Sequence, residues 1–335
     1  MIFSSQHLLF SSLLLTGTIM SISSTSWFMA WMGLELNLMS FVPLITSKTN
    51  QYPSEAALKY FLVQALGSAL IILSAPLMMD MDIFSPMLLM ALLLKLGAAP
   101  FHSWFPSIME GLNWPQCILL MTIQKIAPIF LISHLVTQTS IPEFVTFSSI
   151  LSALVGSLGG LNQTSLRKIL AFSSINHLSW MLIAMLLSDY SWLIYFFFYS
   201  IISASIVIFF NLQQYFFFSQ LFSNPLTSFT KSFMSSFALL SLGGLPPFSG
   251  FIPKWIIIEA MAYNHMFLPL LVLIFSALIT LYYYLRIAVL SLLLMTTKTK
   301  LLSPFPAQFF ASYLTPSFLF FNMFGLLVPS FFLFF

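Results

Sequence analysis

The sequence predicts an all-α polytopic membrane protein with about eleven transmembrane helices, and three observations lead there. Of 335 residues, 59% are hydrophobic and only 6% are charged, whereas a soluble domain carries about a quarter charged residues. Mean hydropathy is +1.00, and long apolar runs such as 71–79 and 267–279 recur along the chain. Strand-like alternation is missing, and the runs are too long for the strands of a membrane barrel.

Each span is an apolar run closed by Pro, Gly or charged residues. In order they cover 7–25, 27–46, 56–79, 84–110, 115–136, 143–161, 166–187, 190–219, 231–262, 266–290 and 311–335. Lys48, Arg167, Lys168, Lys231, Lys298 and Lys300 lie after even-numbered spans or at span ends on that side. Asp80, Asp82, Glu143 and Asp189 lie after odd-numbered spans, where Lys and Arg are lacking. One-sided basic residues set orientation, so the N-terminus is expected on the positive side and the C-terminus on the opposite side. A missed or extra helix would scramble this segregation.

Composition also narrows the chemistry. A net charge of +3, with no basic cluster interleaved with aromatics, gives no reason to expect nucleic acid as a partner. The single cysteine, Cys117, excludes a disulfide within the chain and any thiolate-held metal or iron–sulfur site. Phosphate-binding glycine motifs are missing. No nucleotide, metal or redox centre is therefore expected on this chain. Residues 1–47 hold no Lys or Arg, so neither a secretory leader nor an Arg-rich import presequence is expected. Insertion from inside an organelle or a bacterium follows.

Two spans are interrupted. The fourth contains Lys95-Leu-Gly97-Ala-Ala-Pro100-Phe101-His102, and the ninth contains Leu242-Gly243-Gly244-Leu245-Pro246-Pro247-Phe248-Ser249-Gly250. Proline removes a donor and clashes one turn back, and open backbone at membrane depth is tolerated only inside protein or beside a wet cavity. The breaks fall at the fourth place of spans 1–5 and of spans 6–10. Five is odd, so the second set runs upside down: an inverted repeat with paired discontinuous helices, the sequence signature of an ion or substrate pathway. The expected units are 1–136, 143–290 and a C-terminal helix at 311–335.

Charges inside the spans stand out against this background. Glu35 is mid-span, Lys95 precedes the first break, Lys125 is mid-span, and Lys254 follows the second break. Each costs about 2.5–3.5 kcal/mol at the bilayer centre, so the four together cost on the order of 10–14 kcal/mol. Snorkelling to the interface suits Lys125 poorly, about ten residues from either end of its span. A desolvated amine holds its proton weakly and a nearby carboxylate strengthens the hold; a Glu–Lys pair that opens and closes would therefore release and take up protons as a coupled set. The other reading is structural pairing.

Weaker candidates are Lys59, His102, His177 and Glu259. Lys59 stands one turn after Glu55, where an interfacial i,i+4 pair is the plainer account. His102 adjoins the first break and could serve only to satisfy it. His177, in the middle of span seven, is either a relay or a core histidine. Glu259 lies one turn after Trp255, near the second opening. His134 and Lys168 lie near span ends, His7 and His265 near the surface. Gly156, Gly159 and Gly160 are read as close-packing residues.

These residues carry a family resemblance. Met32-Gly-Leu-Glu35-Leu-Asn37, Glu55-Ala-Ala-Leu-Lys59-Tyr-Phe, Lys95-Leu-Gly-Ala-Ala-Pro-Phe-His102-Ser-Trp104, Leu166-Arg-Lys168-Ile-Leu-Ala-Phe-Ser-Ser174 and Gly243-Gly-Leu-Pro-Pro-Phe-Ser-Gly-Phe-Ile-Pro-Lys254-Trp255 run in order from span two to span nine. Together they resemble the mitochondrial NADH–ubiquinone oxidoreductase chain 2 family, the antiporter-like membrane subunits of respiratory complex I. The resemblance implies a proton-translocating subunit of the membrane arm in the mitochondrial inner membrane, with its N-terminus on the matrix side and its C-terminus in the intermembrane space. It places the Glu–Lys pair at Glu35 and Lys95, the central-axis lysine at Lys125 and the lysine of the second broken helix at Lys254. Relatives carry a lysine in the middle of span seven, where this chain has His177. The implied partners are neighbouring antiporter-like and small core subunits and membrane lipids; NADH, FMN, iron–sulfur clusters and ubiquinone belong to other subunits. Two rival readings share the same residues: a free-standing cation/proton antiporter, and a mainly structural spacer of the membrane arm.

Overall fold

Helix breakers and small residues decide where this apolar chain bends and where its helices meet. The computed structural model describes residues 5–46, 51–80, 84–136, 141–220, 229–293, 320 and 322. The described residues contain helices and no strand; one isolated bridge pairs Ser165 with Phe217. Seven helices among them are long and apolar enough to cross a membrane. The expected span 311–335, apart from residues 320 and 322, and the expected orientation residues Lys48, Asp82, Lys298 and Lys300 lie outside the described residues, as does the side chain of Lys231. The chain divides into two compact units, Met1–Ser152 and Ala153–Phe335.

In the first unit, α1 (Ser5–Ser23), α2 (Trp27–Ile45), α3 (Gln51–Asp80), α4 (Ser85–Leu96) and α7 (Ile123–Leu135) close a ring of neighbours, with α5 (Trp104–Gly111) against α3 and α6 (Trp114–Met121) against α7. α1 and α2 cross at glycines: a Cβ on Gly33 would stand 2.7 Å from the Ser21 backbone nitrogen. Close approach through small residues is how membrane helices associate when burial from water no longer drives them.

The expected span 115–136 is present as a single apolar crossing over Trp114–Leu135, with a local interruption inside it. Thr122 departs from helical geometry at φ −113° and ψ −79°, between α6 and α7. Downstream, Pro128 lacks an N–H and its ring crowds the carbonyl one turn back, at Gln124, so this part of the helix also lacks one of its backbone bonds. Lys125 N bonds Thr122 O at 3.1 Å, a tight turn rather than an α-helical one. Lys125 therefore follows an interruption that no glycine or proline marks directly.

In the second unit, α9 (Leu166–Leu187), α10 (Asp189–Gln213), α11 (Phe229–Gly243), α12 (Phe251–Tyr263) and α13 (Phe267–Leu293) pack together, and the C-terminal turns of α8 (Ile141–Gly160) join them. Gly156 lets the backbone of Phe172 and Asn176 come close, and Gly160 faces the ring of Tyr283. The expected span 190–219 ends early, at Gln213, because Gln214 adopts a left-handed φ of 55° and Tyr215 N turns back to Phe210 O at 3.1 Å. Several buried serines donate within their own helix. Ser152, Ser174, Ser205 and Ser241 each donate to a carbonyl three residues back in their own helix, which satisfies the hydroxyl where water is lacking.

Candidate functional site

The first break ends α4 in a tight turn. Gly97 takes φ 70°, Ala98 N bonds Leu93 O at 3.1 Å and Gly97 N bonds Leu94 O at 3.2 Å, the glycine-closed helix end in which a left-handed residue satisfies the last carbonyls. Two neutral side chains complete it: Trp104 Nε1 donates to Leu94 O at 3.0 Å, and Gln64 Nε2 donates to Lys95 O at 3.2 Å. Lys95, on the last turn of α4, is 6% exposed, and Gly67 of α3 leaves room for its stem. Gln64→Leu removes the donor to a buried carbonyl, which costs about 1–3 kcal/mol. A lowered thermal midpoint of the solubilised protein is the expected readout.

Lys125 is 2% exposed, and its Nζ lies 4.9 Å from the ring centre of Phe105 on α5. Both lysines line a cavity of about 20 Å³, together with Asn37, Tyr60, Gln64 and Gln124; that volume is enough for a water molecule. Tyr60 OH donates to Gln124 Oε1 at 3.3 Å. Glu35, half-buried on α2, acts electrostatically on Lys95, yet among the described residues no ion pair within 4.0 Å joins them.

The second break ends α11 with Gly244 at φ 80°, whose N–H reaches Leu240 O and Ser241 O. Here the terminal carbonyl is met by a cation. Lys254, 6% exposed on the first turn of α12, donates from Nζ to Gly243 O at 2.8 Å. A Cβ on Gly244 would stand 3.0 Å from that Nζ, so glycine serves both the turn and the lysine's approach. A smaller cavity nearby is lined by His177, Tyr195, Tyr199 and Pro253. His177 is buried, with Nδ1 2.8 Å from the Tyr195 hydroxyl.

The remaining expected residues stand outside these clusters. Lys59 and Glu55 form an exposed i,i+4 pair with Nζ 2.6 Å from Oε1. His102 is part-exposed and turns its Nδ1 to Pro100 O at 3.2 Å, within the break itself. Glu259 is exposed on α12 and makes no ion pair among the described residues. Sequence reasoning missed Asn37, Tyr60, Gln64, Gln124, Phe105 and Tyr195. An inventory of neutral amides inside apolar spans would have found three of the six.

Comparison with known proteins gives a consistent result. A family model described as NADH:quinone oxidoreductase/Mrp antiporter, transmembrane, matches residues 24–82 and 79–280. NADH-ubiquinone oxidoreductase chain 2 of Anopheles gambiae is 45% identical over 291 residues, 84% of each chain. Its counterpart in Locusta migratoria is 40% identical over 292 residues, 85% of this chain and 84% of that one. Among solved structures, a chain of respiratory complex I from Thermus thermophilus with bound aureothin has the same fold, with a TM-score of 0.83 at 23% identity, covering 97% of this chain and 79% of that chain. A chain of the Mrp complex from a Dietzia species matches at a TM-score of 0.73 and 17% identity, over 88% and 60% of the two chains. With the identity, the coverage and the broken-helix fold in agreement, this chain belongs to the NADH–ubiquinone oxidoreductase chain 2 family.

Proposed function

We propose that this chain is a proton-translocating core subunit of the membrane arm of NADH:ubiquinone oxidoreductase, carrying protons through a relay of Glu35, Lys95, Lys125 and Lys254. One observation carries the reading. Three lysines are buried in an otherwise apolar bundle, and each sits beside an interruption of its helix. Buried ionisable groups in membrane helices are costly and mark ion and proton pathways.

In this reading residues 1–136 and 143–290 are two five-span repeats of opposite orientation, followed by a helix over 311–335. The Glu35–Lys95 pair gates protonation of Lys125 and Lys254, driven by conformational or electrostatic signals from quinone reduction in other subunits. His177 takes the mid-span place in the second repeat, while Lys59, His102 and Glu259 are peripheral. The chain lies in the mitochondrial inner membrane with its N-terminus in the matrix. It holds no redox cofactor of its own and packs against neighbouring antiporter-like and small core subunits and lipids.

A native gel of gently solubilised source membranes, stained for NADH dehydrogenase activity, tests this. Mass spectrometry is expected to place the chain in the large active band. Its presence only in a small, inactive band would replace this reading with a free-standing cation/proton antiporter, the reading favoured by the fold shared with the Mrp complex.

A further inference from the structure

A residue far along the chain completes the second break. Asn322, beyond residues 143–290, is fully buried. Its backbone oxygen accepts from Ser249 N at 3.1 Å, and its Nδ2 donates to Ser205 Oγ at 3.1 Å. A hydroxyl has one proton, and Ser205 gives its own to Ile202 O at 2.7 Å. Its oxygen is therefore left to accept, which sets the amide with its nitrogen toward Ser205. Ser249 directly precedes Gly250, the N-cap of α12, and its carbonyl accepts from Ile252 N at 3.4 Å. One asparagine thus ties α10 to the start of α12.

Packing does not account for an amide at this place. The bond to Ser249 N uses the main chain and could be made by any residue. The amide oxygen of Asn322 is buried and finds no partner among the described residues, a cost that leucine, of similar volume, would avoid. What asparagine adds over leucine is the bond to Ser205. That bond stands where the geometry of Lys254 is decided. Lys254 is on α12 and its acceptor, Gly243 O, is on α11, so their 2.8 Å contact depends on how the loop 244–250 is held. In the first break Gln64 and Trp104 hold the helix end directly; in the second, Asn322 acts one step away, through the loop. We propose that Asn322 is a positioning residue of the second break, fastening the loop before α12 to Ser205 so that Lys254 stays on Gly243 O.

This inference rests on the relay reading, and the test separates the two. In the assembled complex, reconstituted in vesicles, Asn322→Leu and Ser205→Ala are each expected to lower turnover-linked proton translocation per complex about five-fold, the weight of one buried hydrogen bond. The double variant should be no slower than the worse of the two, because both changes remove the same bond. Deficits that multiply, or a loss of complex with the rate per complex unchanged, would show separate structural roles and overturn the proposal. Should Asn322→Leu fail to assemble, Ser205→Ala decides by the rate per complex. Normal rates in both variants with Lys125→Met defective overturn the tether and leave the relay standing; if Lys125→Met is normal as well, the relay itself falls.

Discussion

Replacing Lys125 with Met is expected to abolish most turnover-linked proton translocation while leaving the subunit in its complex. Met keeps the length and the apolar stem, so the contact with Phe105 survives in kind, and only the charged end is lost. That end lies in a site that is 2% exposed, directly after the Thr122 interruption. A charge at the bilayer centre costs about 2.5–3.5 kcal/mol, and Met removes that cost, so the amount of complex should not fall. Protons moved per NADH oxidised, measured in vesicles, check the outcome. A normal ratio would exclude Lys125 from the relay.

Gly250→Ala is expected to have an effect of another kind, loss of the fold at the second break. An added Cβ would overlap the backbone carbonyl of Ser241, with Ile202 behind it at 3.5 Å. Backbone cannot rotate aside as a side chain can, so α11 and α12 would have to separate around Lys254. Overpacking on this scale costs about 3 kcal/mol or more. The chain should fail to accumulate in the complex, as measured on a native gel. Gly243→Ala is the matched control: the nearest atom to its added Cβ is 3.6 Å away, on the ring of Tyr284, and near-normal accumulation is expected.

Much of the fold was legible because membrane helices announce themselves by length and because Gly97, Pro100, Gly244 and Pro246 mark two breaks in the chain itself. The interruption at Thr122 was not legible, since neither glycine nor proline stands at it and Pro128 lies six residues downstream. Nor was the early end of α10, which uses glutamine where glycine is usual. The charged residues of the site could be read from the cost of burying them. Its neutral residues could not: Asn37, Gln64 and Gln124 come from α2, α3 and α7, and only the closing of the ring brings them to one cavity. Lys59 and Glu259 show the converse, charges conspicuous in sequence that stand at the periphery of the chain.

The two breaks also differ in what holds their ends. Trp104 and Gln64, neither of which can change charge, close the end of α4, so Lys95 can lose its charge without uncapping its helix. Lys254 is itself the donor to Gly243, at the electronegative end of α11. The two lysines flank their breaks on opposite sides, Lys95 before the first and Lys254 after the second, and are unequal as reporters. Replacing Lys95 with an apolar residue leaves the end of α4 capped, whereas the same change at Lys254 removes a charge and the donor to Gly243 O together. A pumping defect at position 254 is thus confounded in a way that one at position 95 is not.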